Sequence, residues 1–208
     1  CVGFSNETES EGSDRTFEMP FKQGELVQKI SEANPNTIVV LNSGGNVEME
    51  SWINGVKGLL HSWYPGQEGA QAVAEIIFGI TNPSGKLPVS FENKWEDNPT
   101  YNSYWDDDKD LNVDFTEGIF VGYRHYDNSS VKPRFPFGYG LSYTSFEINN
   151  AKLENENLKS GDIKFSVDIT NTGNFDGAEV VQIYVSDKES SLPLPIKEFK
   201  EFGKVFLK

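Results

Sequence analysis

The residues best suited to chemistry lie in one short polar loop near the start of the chain. Residues 5–15 carry four acidic side chains: Glu7, Glu9, Glu11 and Asp14. A carboxyl group can give or accept a proton in a transition state, so this loop is a candidate for general acid–base catalysis. An ordinary solvated surface loop has the same composition, because acidic residues are mostly exposed.

The sequence offers little for a metal or a nucleotide cofactor. A single cysteine, Cys1, excludes a cysteine-based zinc cluster, and two histidines, His61 and His125, leave little for a histidine-rich site. The acidic run at 106–108 matches no calcium-loop spacing and is predicted to be an exposed loop. The Ser-Gly-Gly sequence at 43–45 could present amides to an anion, but it lacks a nucleotide-binding fingerprint. We expect chemistry or binding without a cofactor or a metal.

Charge excludes further classes of partner. The 208 residues include 18 Lys and Arg against 32 Asp and Glu, a formal net charge of −14, and 13% of them are aromatic. So many aromatic residues can build a core, which predicts a folded chain. The acidic balance repels phosphate and anionic headgroups, so neither nucleic acid nor a membrane surface is an expected partner. No apolar run reaches the roughly 18 residues of a membrane-spanning helix.

The first part of the chain alternates between strand and helix patterns. Apolar runs predict strands at Val2–Phe4, Thr37–Leu41 and Gly58–Tyr64. Apolar residues at helical spacing predict helices at Phe21–Asn34 and Gln67–Phe78. This order is typical of an α/β layer with a parallel sheet, so we predict the α/β class and a partial α/β/α sandwich.

The last part of the chain changes to short alternating segments. Strands are predicted at Phe146–Leu153, Ile163–Ile169, Glu179–Val185 and Phe199–Leu207. They indicate a partial all-β sandwich. The predicted domains are therefore 1–92, an extended linker or loop region at 93–139, and 140–208. Because both ends of the sequence read as strands interrupted in a sheet, we expect a fragment of a longer protein.

Three groups of sequence motifs, taken in order, resemble the C-terminal half of glycoside hydrolase family 3, the β-glucosidase group. They are Glu11-Gly-Ser-Asp-Arg15; Pro65-Gly-Gln-Glu-Gly69 followed by residues 82–88; and Glu117–Arg124 leading to Phe135–Tyr143. Residues 171–173 and 180–185 resemble the fibronectin-III-like (immunoglobulin-like) domain that follows in many members. The resemblance extends over essentially the whole sequence.

The resemblance implies a specific division of labour. In the family, an N-terminal (β/α)8 barrel supplies an aspartate nucleophile, and in many members a loop of the sandwich supplies a glutamate general acid/base. Glu11 occupies that glutamate's position, and Glu9 is the alternative. This chain departs from the family pattern at Ser13, where an aromatic residue is usual. The implied function is exo-acting, retaining hydrolysis of terminal β-D-glucosyl residues from a β-glucoside or short β-glucan.

The chemistry requires both parts of the protein. A retaining glycosidase needs two carboxyl groups about 5–5.5 Å apart, one of them protonated near neutral pH. Glu11 on a polar loop cannot meet this requirement without the barrel, so the isolated chain is expected to be inactive. Asp14 and Arg15 are expected to pair and brace the loop.

Other functions remain open at this point. β-Xylosidases and N-acetylglucosaminidases belong to the same family, and a non-catalytic carbohydrate-binding or interaction module is an alternative from another class. The family is usually secreted or periplasmic, so we expect that location, although cytoplasmic members exist. Structural roles are expected for Glu68 at a helix start, for Trp63 and Tyr64 in a core, and for Arg124 and Asp127 as a clamp between domains.

Overall fold

The computed structural model describes residues 1–106, 109–154 and 163–208. The strands are β1 (Val2–Gly3), β2 (Ile38–Asn42), β3 (Gly58–His61), β4 (Phe146–Leu153), β5 (Phe165–Asn171), β6 (Gly177–Val185) and β7 (Glu198–Leu207). The helices are α1 (Gln23–Ala33), α2 (Gly69–Ile77) and α3 (Tyr123–Asn128), and short 3₁₀ turns lie at Pro20–Lys22, Ile53–Gly55 and Trp95–Asp97. None of the described helices is long and apolar enough to span a bilayer.

The first three strands form a parallel sheet in the order β1-β2-β3. Val2 pairs with Leu41, and Val40 pairs with Leu60. The three central residues of β2 are buried, as expected for a parallel strand covered on both faces. The strand predicted at Gly58–Tyr64 ends early, at His61, because Trp63 has a φ of +53°, which a strand does not accommodate.

One hydrophobic core packs against this sheet. Leu41, Val47, Trp52 and Phe91 are almost completely buried in it. Helix α1 contributes Val27 from its amphipathic face. The indole Nε1 of Trp52 donates to the Glu48 carbonyl at 3.0 Å, so the largest core side chain also has its polar atom satisfied.

The predicted helices are confirmed, with shifted starts. Helix α1 begins at Gln23 rather than Phe21, because Phe21 and Lys22 both have a φ of +57°. It ends before Pro35, as predicted from the effect of proline on the preceding residue. Helix α2 lies within the predicted range, and Glu68 occupies its N-cap position.

The middle of the chain contains order that the sequence pattern did not show. Residues 87–91 run beside 135–139, and Phe91 and Phe135 exchange two backbone hydrogen bonds of 2.7 and 3.2 Å. Helix α3 was not predicted, since six residues are too short for a recognisable period. Its Tyr126 is buried.

The C-terminal part consists of two antiparallel hairpins, β4-β5 and β6-β7. Ile148 pairs with Ile169 in the first, and Val181 pairs with Gly203 in the second. All four predicted strands are present in the described residues. The predicted Phe146–Leu153 strand coincides with β4, the other three have shifted ends, and the first two residues of the predicted Ile163–Ile169 strand lie outside β5. The predicted fold class, an α/β part followed by fibronectin-III-like antiparallel sheets, is confirmed.

Candidate active site

Three loops meet at the carboxyl edge of the parallel sheet. Strand β1 leads into residues 5–15, β2 into 43–46 and β3 into 62–64. In open α/β sheets this edge is the usual position for ligands, because the loops after parallel strands converge there. The predicted acidic loop therefore belongs to the edge where a site is expected.

Glu11 lies at the tip of a tight turn. The Ser13 amide donates to the Ser10 carbonyl at 3.4 Å, and the two serine hydroxyls lie 3.0 Å apart. Gly12 has a φ of +79°, a conformation that turns commonly assign to glycine. Ser13, the position that departs from the family pattern, thus helps to close the turn.

The carboxylate of Glu11 is exposed to solvent. Among the described residues, no hydrogen bond or ion pair to it is found, so it is available to a ligand or another part of a protein. Its role as general acid/base remains a prediction from the resemblance, since geometry alone does not test it.

Glu9, two residues earlier, is held in a different way. One oxygen lies 3.5 Å from Nε of Arg15, and the other accepts from the amide of Gly44 at 3.3 Å and from the hydroxyl of Tyr64. The Glu9 side chain is 21% exposed. We call this set of residues, Glu9, Arg15, Gly44 and Tyr64, the Glu9 clamp. It ties all three loops of the sheet edge together.

The predicted pairing of Asp14 with Arg15 is wrong. Arg15 pairs with Glu9, donates to the Asn46 carbonyl at 2.5 Å and stacks over Phe4 at 4.9 Å. Asp14 accepts from the hydroxyl of Tyr104 at 3.2 Å. The two adjacent residues therefore brace the loop through different partners.

The Ser-Gly-Gly loop does present an amide to an anion, and the anion is the chain's own carboxylate. A Cβ on Gly44 would lie 2.3 Å from Oε1 of Glu9, and one on Gly45 would lie 2.9 Å from Nη2 of Arg15. Both glycines therefore allow close approach of the clamp. Ser43 is buried and donates to the Gly45 carbonyl at 2.6 Å, which fixes the loop.

His61, at the end of β3, contacts this loop through Ser43. Its Nε2 lies 3.1 Å from the Ser43 hydroxyl. Because that hydroxyl gives its proton to Gly45, the network assigns a proton to Nε2, which then donates to Ser43. The buried Nδ1 has no hydrogen-bond partner in the described residues. Burial lowers the pKa of His61; the Gly45 carbonyl partly opposes this, and the charge of Arg15 adds to it.

The two aromatic residues after β3 have different roles. Trp63 is half-buried and packs edge-on to His61 with ring centroids 4.4 Å apart, in agreement with the predicted core role. The core role predicted for Tyr64 is wrong, because Tyr64 is 56% exposed and its hydroxyl belongs to the clamp. Burial, followed by the acceptor and charge of Glu9, raises the pKa of Tyr64.

An open groove of about 380 Å³ adjoins the acidic loop. Asp14, Arg15 and Asn46 line one part of it, and its aromatic residues are Phe17, Phe91, Trp95, Tyr101, Tyr104 and Trp105. No motif in the sequence predicted this groove. The density of Trp and Tyr among polar residues at 95–105 was the available signal.

Other expected features divide between confirmed and untested. Arg124 lies 3.5 Å from Glu198, and Asp127 lies 3.3 Å from Lys197, in agreement with the predicted clamp to the C-terminal part. Asp107 and Asp108 lie outside the described residues. Within those residues, no group of three or more His, Cys, Asp and Glu is placed to hold a metal ion.

Comparison with protein families matches two descriptions in chain order. Residues 1–143 match the glycosyl hydrolase family 3 C-terminal domain, and residues 179–208 match a fibronectin type III-like domain. The domain boundaries predicted at 92 and 139 are not tested by these matches and remain predictions.

Similar proteins of known name are beta-glucosidases. A putative beta-glucosidase of Schizosaccharomyces pombe is 45% identical over 208 residues, which are 100% of this chain and 24% of that protein. Thermostable beta-glucosidase B of Acetivibrio thermocellus is 43% identical over 99% of this chain and 27% of its own length. This chain therefore spans about a quarter of these relatives.

Solved structures agree with this placement. The Bifidobacterium adolescentis GH3 beta-glucosidase superposes with a TM-score of 0.92 at 38% identity, covering 100% of this chain and 30% of that one. The Kluyveromyces marxianus beta-glucosidase in complex with glucose gives 0.90 at 41% identity, covering 100% and 24%. With the family match over residues 1–143, these likenesses show that the chain belongs to glycoside hydrolase family 3.

Proposed function

We propose that this chain is the C-terminal portion of a retaining, exo-acting β-glucosidase. Its substrate is a β-glucoside or a short β-glucan, from which the enzyme removes terminal β-D-glucosyl residues. The observation that carries the proposal is the likeness to β-glucosidases along the whole chain, one of them solved with glucose. No relative described above bears the name of a xylosidase or a glucosaminidase.

In this mechanism Glu11 is the general acid/base. It protonates the leaving oxygen, and it then deprotonates the water that releases glucose from the covalent intermediate. Its exposed position at a turn tip, without a partner in the described residues, supports this role, because a proton donor must be free to reach the substrate.

The nucleophile belongs to the part of the relatives that this chain does not span. We propose an aspartate on an N-terminal (β/α)8 barrel, about 5–5.5 Å from Glu11 when the site is assembled. A general acid of this kind must carry its proton near neutral pH, and burial or a neighbouring negative charge favours the protonated form of a carboxyl group. The 208-residue chain alone should hydrolyse no glucoside.

The experiment compares leaving groups in the full-length protein. Glu11→Gln should lower kcat/KM for cellobiose, a poor leaving group, by about 10²- to 10⁴-fold, because general acid catalysis contributes that much. The value for 4-nitrophenyl β-glucoside should fall far less, since nitrophenolate leaves without a proton.

The matched control is Glu7→Gln, which removes the same charge from the same exposed loop. This control should leave kcat/KM unchanged for both substrates. Equal losses on both substrates for Glu11→Gln, or no loss on either, would remove Glu11 from the acid/base role. Turnover by the isolated 208-residue chain would contradict the requirement for a barrel.

A further inference from the structure

We propose that Glu9 is a positioning residue for Glu11, acting through the Glu9 clamp. This inference rests on the proposed function, since it assigns to one carboxylate the orientation of another. Glu9 itself touches no substrate in this scheme: each of its oxygens already has a partner within the chain.

The clamp closes the base of the turn that carries Glu11. Glu9 and Arg15 flank residues 10–14, and their 3.5 Å ion pair joins the two ends of this segment. The Ser10–Ser13 hydrogen bonds then fix the turn itself. Glu11 thus lies on a short segment that is fastened at both ends.

The clamp is also fastened to a rigid part of the molecule. Gly44 and the Asn46 carbonyl, which accepts from Arg15, belong to the loop after β2, and β2 runs through the core. Buried Ser43 and His61 hold that loop in place. Contacts with the parallel sheet therefore fix the position of Glu11, in addition to the contacts within its own polar loop.

Such positioning matters because proton transfer depends steeply on geometry. A misplacement of about 1 Å can cost on the order of 10²-fold in rate, and a site on a loop needs supporting contacts to avoid it. Loss of the clamp should therefore reduce acid catalysis even though Glu11 is still present.

Two variants break the clamp by different means. Glu9→Gln keeps the shape but removes the charge that pairs with Arg15. Gly44→Ala keeps every charge but places a Cβ 2.3 Å from Oε1 of Glu9, so the flexible carboxylate must move. Agreement between the two variants separates the clamp from a simple effect of charge. Glu7→Gln is again the control in the same loop.

The measurement is a double-mutant cycle on kcat/KM for cellobiose in the full-length protein. Glu9→Gln and Gly44→Ala should each cost about 10- to 100-fold, mostly in kcat, and little with 4-nitrophenyl β-glucoside. In the Glu11→Gln background neither change should cost anything further, because the group that they position is gone. Substitution of a residue with only a structural role would lower kcat/KM for both substrates, with Glu11 and with Gln at position 11.

The outcomes separate the two proposals. One outcome is that Glu11→Gln lowers kcat/KM while Glu9→Gln lowers it by the same factor with and without Glu11. In that case the positioning role is wrong and the acid/base role stands. The same holds if both clamp variants retain full activity. If Glu11→Gln costs nothing, the acid/base role fails and the positioning role fails with it. If Glu9→Gln does not fold, Gly44→Ala and Tyr64→Phe, which removes one donor at an exposed position, give the same comparison.

Discussion

The α/β part and the C-terminal hairpins differ in how they bury apolar surface. Leu41 and Trp52 are 0% and 2% exposed in the first, whereas Phe202 and Phe206 are 58% and 64% exposed in β7. Ala178 is the buried apolar residue of β4–β7 in the described part of the chain. The first region has a core that can fix its loops, whereas the strands of the second expose most of their large apolar side chains.

The difference explains where the candidate site lies. A loop holds a catalytic side chain accurately only when its ends are attached to a rigid element. Residues 5–15 are attached through the Glu9 clamp to the loop after β2, whose central residues lie in the core. The hairpins contact the rest of the chain through polar groups, including a 2.9 Å ion pair between Lys86 and Glu179. They also contact it through aromatic rings, since Tyr184 packs against Tyr123 and Phe199 against Phe137.

Truncation of one aromatic side chain in each region gives the largest contrast. Trp52→Ala should lower the free energy of unfolding by about 3–5 kcal/mol, because it leaves a large cavity in the core. Phe206→Ala should change it by less than about 0.5 kcal/mol, as expected of an exposed position. Urea unfolding of both variants measures the difference. Similar losses would mean that β7 is buried in the folded protein in solution.

Weakening the contact between the two regions should lower the free energy of unfolding by less than the loss of Trp52. Lys86 and Glu179 are each 16% exposed, and Lys86 also donates to the Gly140 carbonyl at 2.8 Å. Lys86→Met should cost about 1.5–3 kcal/mol, because it leaves charged-group hydrogen bonds unmade in a poorly solvated place.

Lys200→Met is the matched control for that change. Its pair with Glu198 lies within β7 and is exposed, so its loss should cost much less than that of Lys86. Hydrogen exchange in β6 and β2 reports the two regions separately. If Lys86→Met weakened protection no more than Lys200→Met, the ion pair would not be a link between the regions.

The sequence contained the pattern of the sheet but not the contacts of the site. Continuous apolar runs predicted β2 and β3, and alternation predicted β4–β7, because strand burial leaves a period in the sequence. The left-handed backbone at Phe21, Lys22 and Trp63 shortened the predicted elements, and non-glycine residue types give no signal of it.

The clamp could not be predicted for a different reason. Its members lie at positions 9, 15, 44 and 64, and only the parallel order of β1, β2 and β3 brings them together. Pairing Asp14 with Arg15 relied on adjacency, whereas the true partner of Arg15 is six residues away. Glu11 is proposed from the resemblance to a family, because an exposed acid leaves no physical pattern in the sequence.

The smallest expected effect is a dependence on pH that separates the two regions. His61 lies beneath the Glu9 clamp, and residues 140–208 contain no histidine. Burial holds the pKa of His61 below its usual 6.5, so the unfolded chain binds a proton more readily than the folded one. The stability that this provides is complete above pH 6.5 and is lost as the pH falls from there towards the lowered pKa.

Between pH 7.5 and 5.5, protection of amides in β2 and β3 against hydrogen exchange should therefore decrease, after correction for the intrinsic rate. Protection in β6 and β7 should not change over the same range. His61→Gln can still donate to Ser43 but cannot titrate, so it should remove the dependence in β2 and β3. A dependence of equal size in both regions would mean that they open as one cooperative unit. A dependence that persists in His61→Gln would assign it to groups other than this ring.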